Sequence, residues 1–210
     1  MDARGWVANH DGNVTVKIGA DLFAATPSGR AKFDLKDEDL IELDSSGSKV
    51  SGNGKPFSEF AVHAKVYALR PEVGAVLHSH APFTTAVGCV NQEMVTTGIP
   101  EAVISLGPGV PLVGLALPNS PEFFSEFATL IPHYDAVMIA GNGIFTWGKD
   151  LEQAYLRMEL VEHLAQIFAI AQPLGTSHLL AASQRQTLLK KRAEAGLALP
   201  PDPARPHWFE

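Results

Sequence analysis

The first part of the chain has the alternating apolar pattern of β-strands. Residues 13–18 alternate with period two and are rich in β-branched side chains, which predicts a strand. Residues 21–26 and 40–43 are predicted as two more strands, and turn-forming sequences follow them at Thr26-Pro-Ser-Gly29 and Asp44-Ser-Ser-Gly-Ser-Lys49. Strands are therefore expected to cluster early in the chain.

Beyond residue 57, helical patterns alternate with short apolar runs. Ser58 is predicted to cap a helix whose apolar stripe ends before Pro71. Further helices are predicted at residues 83–90, from Ser120 with a proline at the first helical position, at residues 151–171 and at residues 178–195. Strands are predicted at residues 95–106, 111–117 and 136–140. This order is typical of an α/β protein with a mixed sheet covered by helices, and we expect one domain over residues 1–210.

The segment Gly74-Ala-Val-Leu-His-Ser-His80 combines a buried-strand pattern with two histidines. Side chains two apart on a strand point to the same side, so His78 and His80 can converge on one point. Two neutral imidazoles that face a common point form a bidentate site for a divalent metal. The alternative is that a backbone carbonyl accepts from one histidine and water solvates the other. This motif alone leaves both interpretations open.

Composition and charge narrow the classes of function. The chain is 46% apolar and 19% charged, which is typical of a globular protein. Its net charge of −7, without a basic stripe, argues against nucleic acid or a membrane surface as the main partner. The single cysteine, Cys89, excludes an internal disulfide, and its apolar context predicts a buried thiol. Because no signal peptide or membrane-length apolar run is recognised, we expect a cytoplasmic protein.

Several motifs follow one another in an order that resembles the class II aldolase/adducin family. They are Gly12-Asn-Val, Thr26-Pro-Ser-Gly29, Ser58-Glu59, Arg70-Pro71, His78-Ser-His80 and Gly141-Asn-Gly-Ile-Phe-Thr-Trp-Gly-Lys-Asp-Leu-Glu-Gln-Ala154. The resemblance extends over roughly residues 12–171 and is more specific as an ordered set than any single motif. It implies a three-layer α/β fold with a central, mostly antiparallel β-sheet covered by helices on both faces.

The resemblance also implies a metal site and a catalytic carboxylate. In the family, both histidines of the H-x-H motif and a third histidine before a glycine bind a divalent metal, usually zinc. The glutamate of the S-E motif acts as acid and base and can also contact the metal. Carried over, these residues are His78, His80 and Glu59. Cleaving a carbon–carbon bond next to a carbonyl produces an enediolate, which a divalent cation stabilises while a carboxylate moves the proton. The alternative for Glu59 is a helix-start residue favoured by the helix dipole.

The third metal-ligand position departs from the family pattern. Asn142 precedes Gly143 where the family has a histidine. An asparagine offers a neutral carbonyl oxygen, which is a poorer zinc ligand than imidazole. The metal is then bound more weakly or is a harder ion (Mn, Fe, Co or Mg in place of Zn), or another group replaces the ligand, or the site is inactive.

Two other parts of the site are implied by the resemblance. In the sugar-phosphate aldolases a tyrosine from the neighbouring subunit donates a proton, and the matching position here is Glu101, an alternative acid or a surface charge. The phosphate-binding positions correspond to Asn13, Ser28, Gly29 and Ser58. Small residues and backbone N–H groups in turns bind anions, although the same residues are common in any turn. Phe57 replaces one family serine, which weakens the expected anion pocket.

The resemblance therefore implies a metal-dependent lyase that acts on a small hydroxy-carbonyl compound, phosphorylated or carboxylated. A 4-epimerase, a dehydratase or a decarboxylase on the same site stays open, as does a non-catalytic association domain like the adducin head. Asn142 and Phe57 favour the non-catalytic alternative, whereas His78, His80 and Glu59 favour an enzyme. The family also implies a homotetramer with its sites at subunit interfaces and a small-molecule substrate.

Both ends of the chain carry specific expectations. Family members have a helix ahead of the glycine-asparagine turn, and only about a dozen residues precede that turn here. The N-terminal helix is thus expected to be truncated, with Trp6 as a packing anchor. Residues 196–210 form a proline-rich tail that ends in aromatic residues. Such a tail either docks over a site or another subunit, or frays.

Overall fold

The computed structural model describes residues 1–117, 119–175 and 178–209, in which eight strands form one central sheet. Counting two strands of a separate pair, the described strands are, in chain order, β1 (Asn13–Gly19), β2 (Leu22–Ala25), β3 (Ile41–Leu43), β4 (Lys49–Ser51), β5 (Ala75–Ser79), β6 (Met94–Val95), β7 (Gly109–Val110), β8 (Leu112–Val113), β9 (Ala136–Ile139) and β10 (Gly143–Gly148). The sheet order is β4-β3-β2-β1-β5-β10-β9-β8, and β6 pairs with β7 separately. Every neighbouring pair in the large sheet is antiparallel except β8 and β9.

Helices cover both faces of the sheet. They are α1 (Phe60–Leu69), α2 (Pro82–Cys89), α3 (Pro100–Leu106), α4 (Pro121–Leu130), α5 (Leu151–Ala171), α6 (Ala182–Glu194) and α7 (Pro206–Phe209). Apolar side chains of α1 and α4 pack on one face, and those of α2, α3 and α5 pack on the other. This arrangement confirms the predicted three-layer α/β fold. No helix in the described ranges is long and apolar enough to cross a membrane.

Strand periodicity divides the core into these two clusters. On β5, Val76 faces the α1 side, whereas Ala75 and Leu77 face the α5 side. Every residue of β5 is buried, as expected for a strand covered on both faces. Since His78 lies two residues after Val76, the same alternation directs its side chain toward α1.

Three predictions of secondary structure were wrong. Residues 95–106 contain helix α3, which begins at Pro100, because a short apolar run does not distinguish a strand from a buried helix. The strand predicted at residues 111–117 is limited to β8. Ser58 does not cap α1: Glu59 occupies the N-cap position and makes no side-chain capping bond.

Of the predictions made for Cys89 and Trp6, one was wrong and one was confirmed. Cys89 is exposed at the end of α2, so the prediction of a buried thiol was wrong. Trp6 is 6% exposed and packs with the α5-side core, its ring centroid 5.5 Å from that of Tyr155. Its predicted role as a packing anchor is confirmed.

The C-terminal tail docks on its own chain. Trp208 is buried, and its ring fills the space that a side chain at Gly109 would need. The Tyr134 hydroxyl donates to Asp202 Oδ2 at 2.9 Å, and Arg205 pairs with Asp202 at 2.8 Å. The tail therefore does not fray over its described length. Its last residue, Glu210, lies outside the described residues.

One buried carboxylate joins distant segments of the chain. Asp135, 1% exposed, contacts Arg70 from the end of α1 at 3.2 Å, Arg157 of α5 at 2.8 Å and Arg192 of α6 at 3.0 Å. The guanidinium groups also donate to backbone carbonyls, including Arg157 to Trp147 at 2.7 Å. Because three cations share one anion, removing that anion leaves uncompensated buried charge.

We expect Asp135→Asn to lower the free energy of unfolding by about 3–5 kcal/mol, since one partner of a buried ion pair is removed. Urea unfolding followed by circular dichroism measures this. Asp37→Asn, at an exposed position, is the matched control and should change stability by less than about 0.5 kcal/mol. An Asp135→Asn protein as stable as this control would contradict the assigned role.

Candidate active site

His78 is held in one tautomer at the end of β5. Its ring is fully buried and stacks on Phe145 at 4.1 Å between centroids. Its Nδ1–H donates to the Ile144 carbonyl at 3.0 Å, which leaves the lone pair on Nε2. Burial lowers the pKa of His78 to about 4, so the imidazole is neutral at pH 7. A neutral imidazole with a free Nε2 is the form that binds metal ions.

His80 faces the same point. Its Nε2 lies 3.2 Å from Nε2 of His78, which confirms that the two imidazoles converge. On its other side, Nδ1 is 3.4 Å from Asp11 Oδ2, and this carboxylate favours the proton on Nδ1. With His80 in that tautomer, two nitrogen lone pairs face each other across a short gap.

Glu59 places a negative charge beside the Nε2 atom of His78. Its Oε1 lies 3.6 Å from His78 Nε2. Asn13 Nδ2 donates to Oε2 at 2.9 Å, and Asn142 Nδ2 donates to Oε1 at 3.1 Å. Burial by itself would raise the pKa of Glu59, but the nearby His78 and the two amide donors outweigh it and lower the pKa. Glu59 is therefore ionised at neutral pH.

The turn between β9 and β10 places Asn142 beside Glu59. Gly143 has φ of 77°, and a Cβ there would lie 2.0 Å from the Ser79 carbonyl oxygen, so only glycine fits. This close approach brings the turn against the residue between the two histidines. Asn142 uses its amide nitrogen as a donor to Glu59, so in this arrangement it contacts the carboxylate.

The two imidazoles supply part of the donor set of a metal site. Among the described residues, no group of three or more His, Cys, Asp or Glu side chains is assembled around one point. The two imidazoles nevertheless fit one ion, since two nitrogen ligands of a tetrahedral zinc are about 3.3 Å apart and these nitrogens are 3.2 Å apart. The partners of Nδ1 also match the usual outer contacts of metal-binding histidines. His78 and His80 thus fit a divalent ion, with Glu59 as the adjacent anion.

A buried histidine that the sequence analysis did not identify lies behind Glu59. His63 on α1 is fully buried, with Nε2 2.6 Å from Asn13 Oδ1 and Nδ1 2.8 Å from Thr15 Oγ1. The available signal was spacing, because His63 follows Glu59 by four residues, one turn along the same helix face. Asn13 is therefore bonded on both sides, to Glu59 and to His63.

The residues expected to bind an anion lie around this end of β1. Ser28 and Gly29 are exposed in the turn after β2, and the Ser28 N–H donates to the Lys55 carbonyl at 2.8 Å. Ser58 is exposed next to Glu59, and its carbonyl accepts from Asn119 Nδ2 at 3.2 Å. The structure joins the turn after β2 to the segment before α1, and it directs the Asn13 side chain inward, to Glu59.

Two further residues are placed differently from the family pattern. Phe57 is buried and packs edge-on against His63 at 5.2 Å, so its bulk enters the core. Glu101 lies in the first turn of α3 and lines a cavity of about 830 Å³ with Lys149 and Asp150. The lining also includes Arg157 and Glu162 of α5, but it contains none of Glu59, His78 and His80. Within one chain, Glu101 therefore lines a cavity that these three site residues do not line.

Comparisons with known proteins point to one family. A family model described as the class II aldolase and adducin N-terminal domain matches residues 1–169. The methylthioribulose-1-phosphate dehydratase of Acidiphilium cryptum is 31% identical over an alignment of 173 residues, which covers 78% of this chain and 82% of the relative. The 3-oxo-tetronate 4-phosphate decarboxylase of Pectobacterium atrosepticum is 30% identical over an alignment of 171 residues, which covers 80% of this chain and 78% of the relative.

Solved structures give the same picture. An L-fuculose 1-phosphate aldolase superposes with a TM-score of 0.79 and 26% identity, over 89% of this chain and 87% of that one. The three similar proteins thus carry out a dehydration, a decarboxylation and an aldol reaction according to their names.

We expect protein purified without chelator to contain a divalent metal, and His78→Ala/His80→Ala to lack it, because the variant has neither imidazole donor. Asn142→His should bind the metal at least about tenfold more tightly, since it adds an imidazole in the third position. Elemental analysis and competition with a chromogenic chelator measure these outcomes.

His163→Ala is the matched control, because His163 is an exposed histidine on α5. It should retain the metal content of the parent. Equal metal content in the double variant and in this control would contradict the assignment of His78 and His80.

Proposed function

The chain belongs to the class II aldolase and adducin family, and from that premise we propose that it cleaves or forms a carbon–carbon bond next to a carbonyl group. Its lyase-type role follows from relatives that are named aldolases, dehydratases and decarboxylases. The finer assignment is supported above all by the convergence of His78 and His80 beside the ionised Glu59.

The proposed chemistry assigns separate tasks to the site residues. The family generally depends on a divalent metal, and such an ion, held here by His78 and His80, would stabilise the negative charge of an enediolate. Zinc suits the imidazole donors, whereas Asn142 and Glu59 as neighbours also suit Mn, Fe, Co or Mg. Glu59 is ionised and can accept a proton at the carbon next to the carbonyl, then return it. The two amide donors keep its carboxylate in place.

The proposed substrate is a small hydroxy-carbonyl compound with a phosphate group. The names of the three compared proteins all contain a sugar phosphate or a related phosphorylated acid. In this chain we assign phosphate binding to the exposed hydroxyls of Ser28 and Ser58 and to the backbone at Gly29. Asn13, the fourth residue expected there, contributes through Glu59, because both ends of its amide are engaged.

A dehydratase or a decarboxylase on the same site is the second candidate. The similarity to a dehydratase at 31% and to a decarboxylase at 30% identity favours it. Both reactions, like 4-epimerisation through aldol cleavage, need a stabilised enediolate or enolate and a base. Under the adducin-like alternative, the ionised Glu59, which accepts hydrogen bonds from two asparagine side chains, would have no catalytic role.

We also propose a homotetramer with its sites at subunit interfaces. The supporting observation is that Glu101 lines a cavity to which Glu59, His78 and His80 of its own chain do not contribute. In such an assembly, Glu101 of a neighbouring copy would supply the acid. Light scattering during size exclusion would contradict this proposal by giving the mass of a monomer.

We expect metal-loaded protein to convert at least one of fuculose 1-phosphate, methylthioribulose 1-phosphate and 3-oxo-tetronate 4-phosphate. Glu59→Gln should lower kcat by about 10²–10⁴-fold, because the base is lost while the side-chain shape is kept. Proton NMR of the products distinguishes an aldehyde, a dehydrated ketone and loss of carbon dioxide.

Glu38→Gln, at an exposed position, is the matched control and should keep the kcat of the parent. If Glu59→Gln retained full turnover, the role of Glu59 would be refuted. Absence of turnover with all three compounds would contradict the proposed substrate class.

A further inference from the structure

Helix α1 and strand β1 face each other with matching repeat distances. Glu59, His63 and Tyr67 are spaced by four residues, which corresponds to a rise of about 6 Å per step on a helix. Asn13 and Thr15 are spaced by two, which corresponds to about 6.8 Å on a strand. Because the steps are nearly equal, strand side chains can fit between helix side chains without a change of register.

The side chains interdigitate in that way and form a continuous chain of hydrogen bonds, here called the polar ladder: Glu59, Asn13, His63, Thr15 and Tyr67. Asn13 bridges Glu59 at 2.9 Å and His63 at 2.6 Å. Thr15 Oγ1 bridges His63 at 2.8 Å and the Tyr67 hydroxyl at 2.9 Å, and that hydroxyl also donates to the Thr15 carbonyl at 3.0 Å. Asn13, Thr15, His63 and Tyr67 are all buried.

The charge of Glu59 dictates the direction of every bond in the polar ladder. A carboxylate only accepts, so Asn13 must present its NH₂ group to Glu59 and its carbonyl oxygen to His63. His63 must then carry its proton on Nε2, and Nδ1 must accept from Thr15. The Thr15 hydroxyl has given its only proton to His63, so the Tyr67 hydroxyl must be the donor, and its one proton is shared between Oγ1 and the carbonyl oxygen of Thr15. The other four groups therefore all donate toward Glu59, an arrangement in which hydrogen bonds strengthen one another.

Two aromatic neighbours hold the ring of His63 in place. Phe57 and Phe145 contact it edge-on at 5.2 and 5.6 Å between centroids. Burial, with a smaller contribution from the neighbouring His78, lowers the pKa of His63 well below its ordinary value, which keeps the ring neutral. A neutral imidazole with one donor and one acceptor matches the two partners on either side.

We propose that His63 is a positioning residue, which holds the Asn13 amide in the orientation that fixes the carboxylate of Glu59, while Thr15 and Tyr67 select the His63 tautomer. The consequence for turnover rests on the proposed function, whereas the tautomer and the amide orientation do not. A buried polar row costs free energy unless every group is bonded, and an apolar row would serve packing alone. The polar ladder is therefore better explained by the orientation that it imposes on Glu59.

The first test compares two substitutions at His63 with a neighbouring control. His63→Leu removes the donor to Asn13, and His63→Gln keeps an N–H group near the position of Nε2. Val62→Ala, at a fully buried position on the same helix, lowers stability without touching the polar ladder. We expect His63→Leu to lose about 10²-fold in kcat with little change in KM, as for a small displacement of a catalytic group. His63→Gln should recover part of that loss.

The second test does not depend on turnover. Nitrogen-15 NMR of histidine-labelled protein should show His63 protonated on Nε2 alone, and Thr15→Val should change its Nδ1 signal while Val62→Ala does not. A crystal structure of His63→Leu should show the Asn13 side chain turned away from Glu59.

Three results would overturn the proposal: a proton on Nδ1 of His63, an unmoved Asn13 in the His63→Leu crystal, or equal kcat values for His63→Leu and Val62→Ala. If the parent protein converts no substrate, the proposed function fails, and the tautomer and the crystal structure still decide the role of His63.

Discussion

The ionised carboxylate of Glu59, at the edge of the core, imposes an order on the side chains around it. A buried negative charge must accept hydrogen bonds from donors that are themselves held in place. Asn13 and Asn142 supply those donors, and they come from a strand and from a turn that are far apart in the chain. His63 in turn fixes Asn13. The position of one charge thus depends on the packing of α1 on β1 and on the turn before β10.

The two histidines depend on the same packing from the other side. His78 is the strand partner of Asn13 on β1 and of Phe145 on β10, so its ring lies between the elements that hold Glu59. Burial keeps His78 neutral, whereas the amide donors keep Glu59 charged. Neutral nitrogens beside a fixed anion favour a divalent cation between them. Asn142 stabilises the carboxylate of Glu59 by donating a hydrogen bond to it. A histidine at this position, as in the family pattern, would offer a nitrogen ligand to a metal instead.

A second buried carboxylate holds the body of the protein together at a distance from this site. Asp135 pairs with three arginines from α5, α6 and the end of α1. These contacts connect the helix that carries His63 to the last third of the chain. Most of the architecture around them was predictable, since the strand at β1, the long helix α5 and the serine cap of α4 follow directly from periodicity and capping residues. The helix within residues 95–106 was not predictable, because the apolar run there suits either a strand or a helix.

The sequence by itself determined the family, the α/β class and the convergence of His78 and His80, because each depends on spacing along one strand or on an ordered set of motifs. Only the tertiary structure showed which group Asn13 and Asn142 contact: both donate to Glu59, whereas the sequence led us to expect contacts with substrate and metal. It also placed His63 behind the site. The physical reason is that hydrogen-bond partners are chosen by the approach of separate elements, and local spacing carries no information on which helix covers which strand.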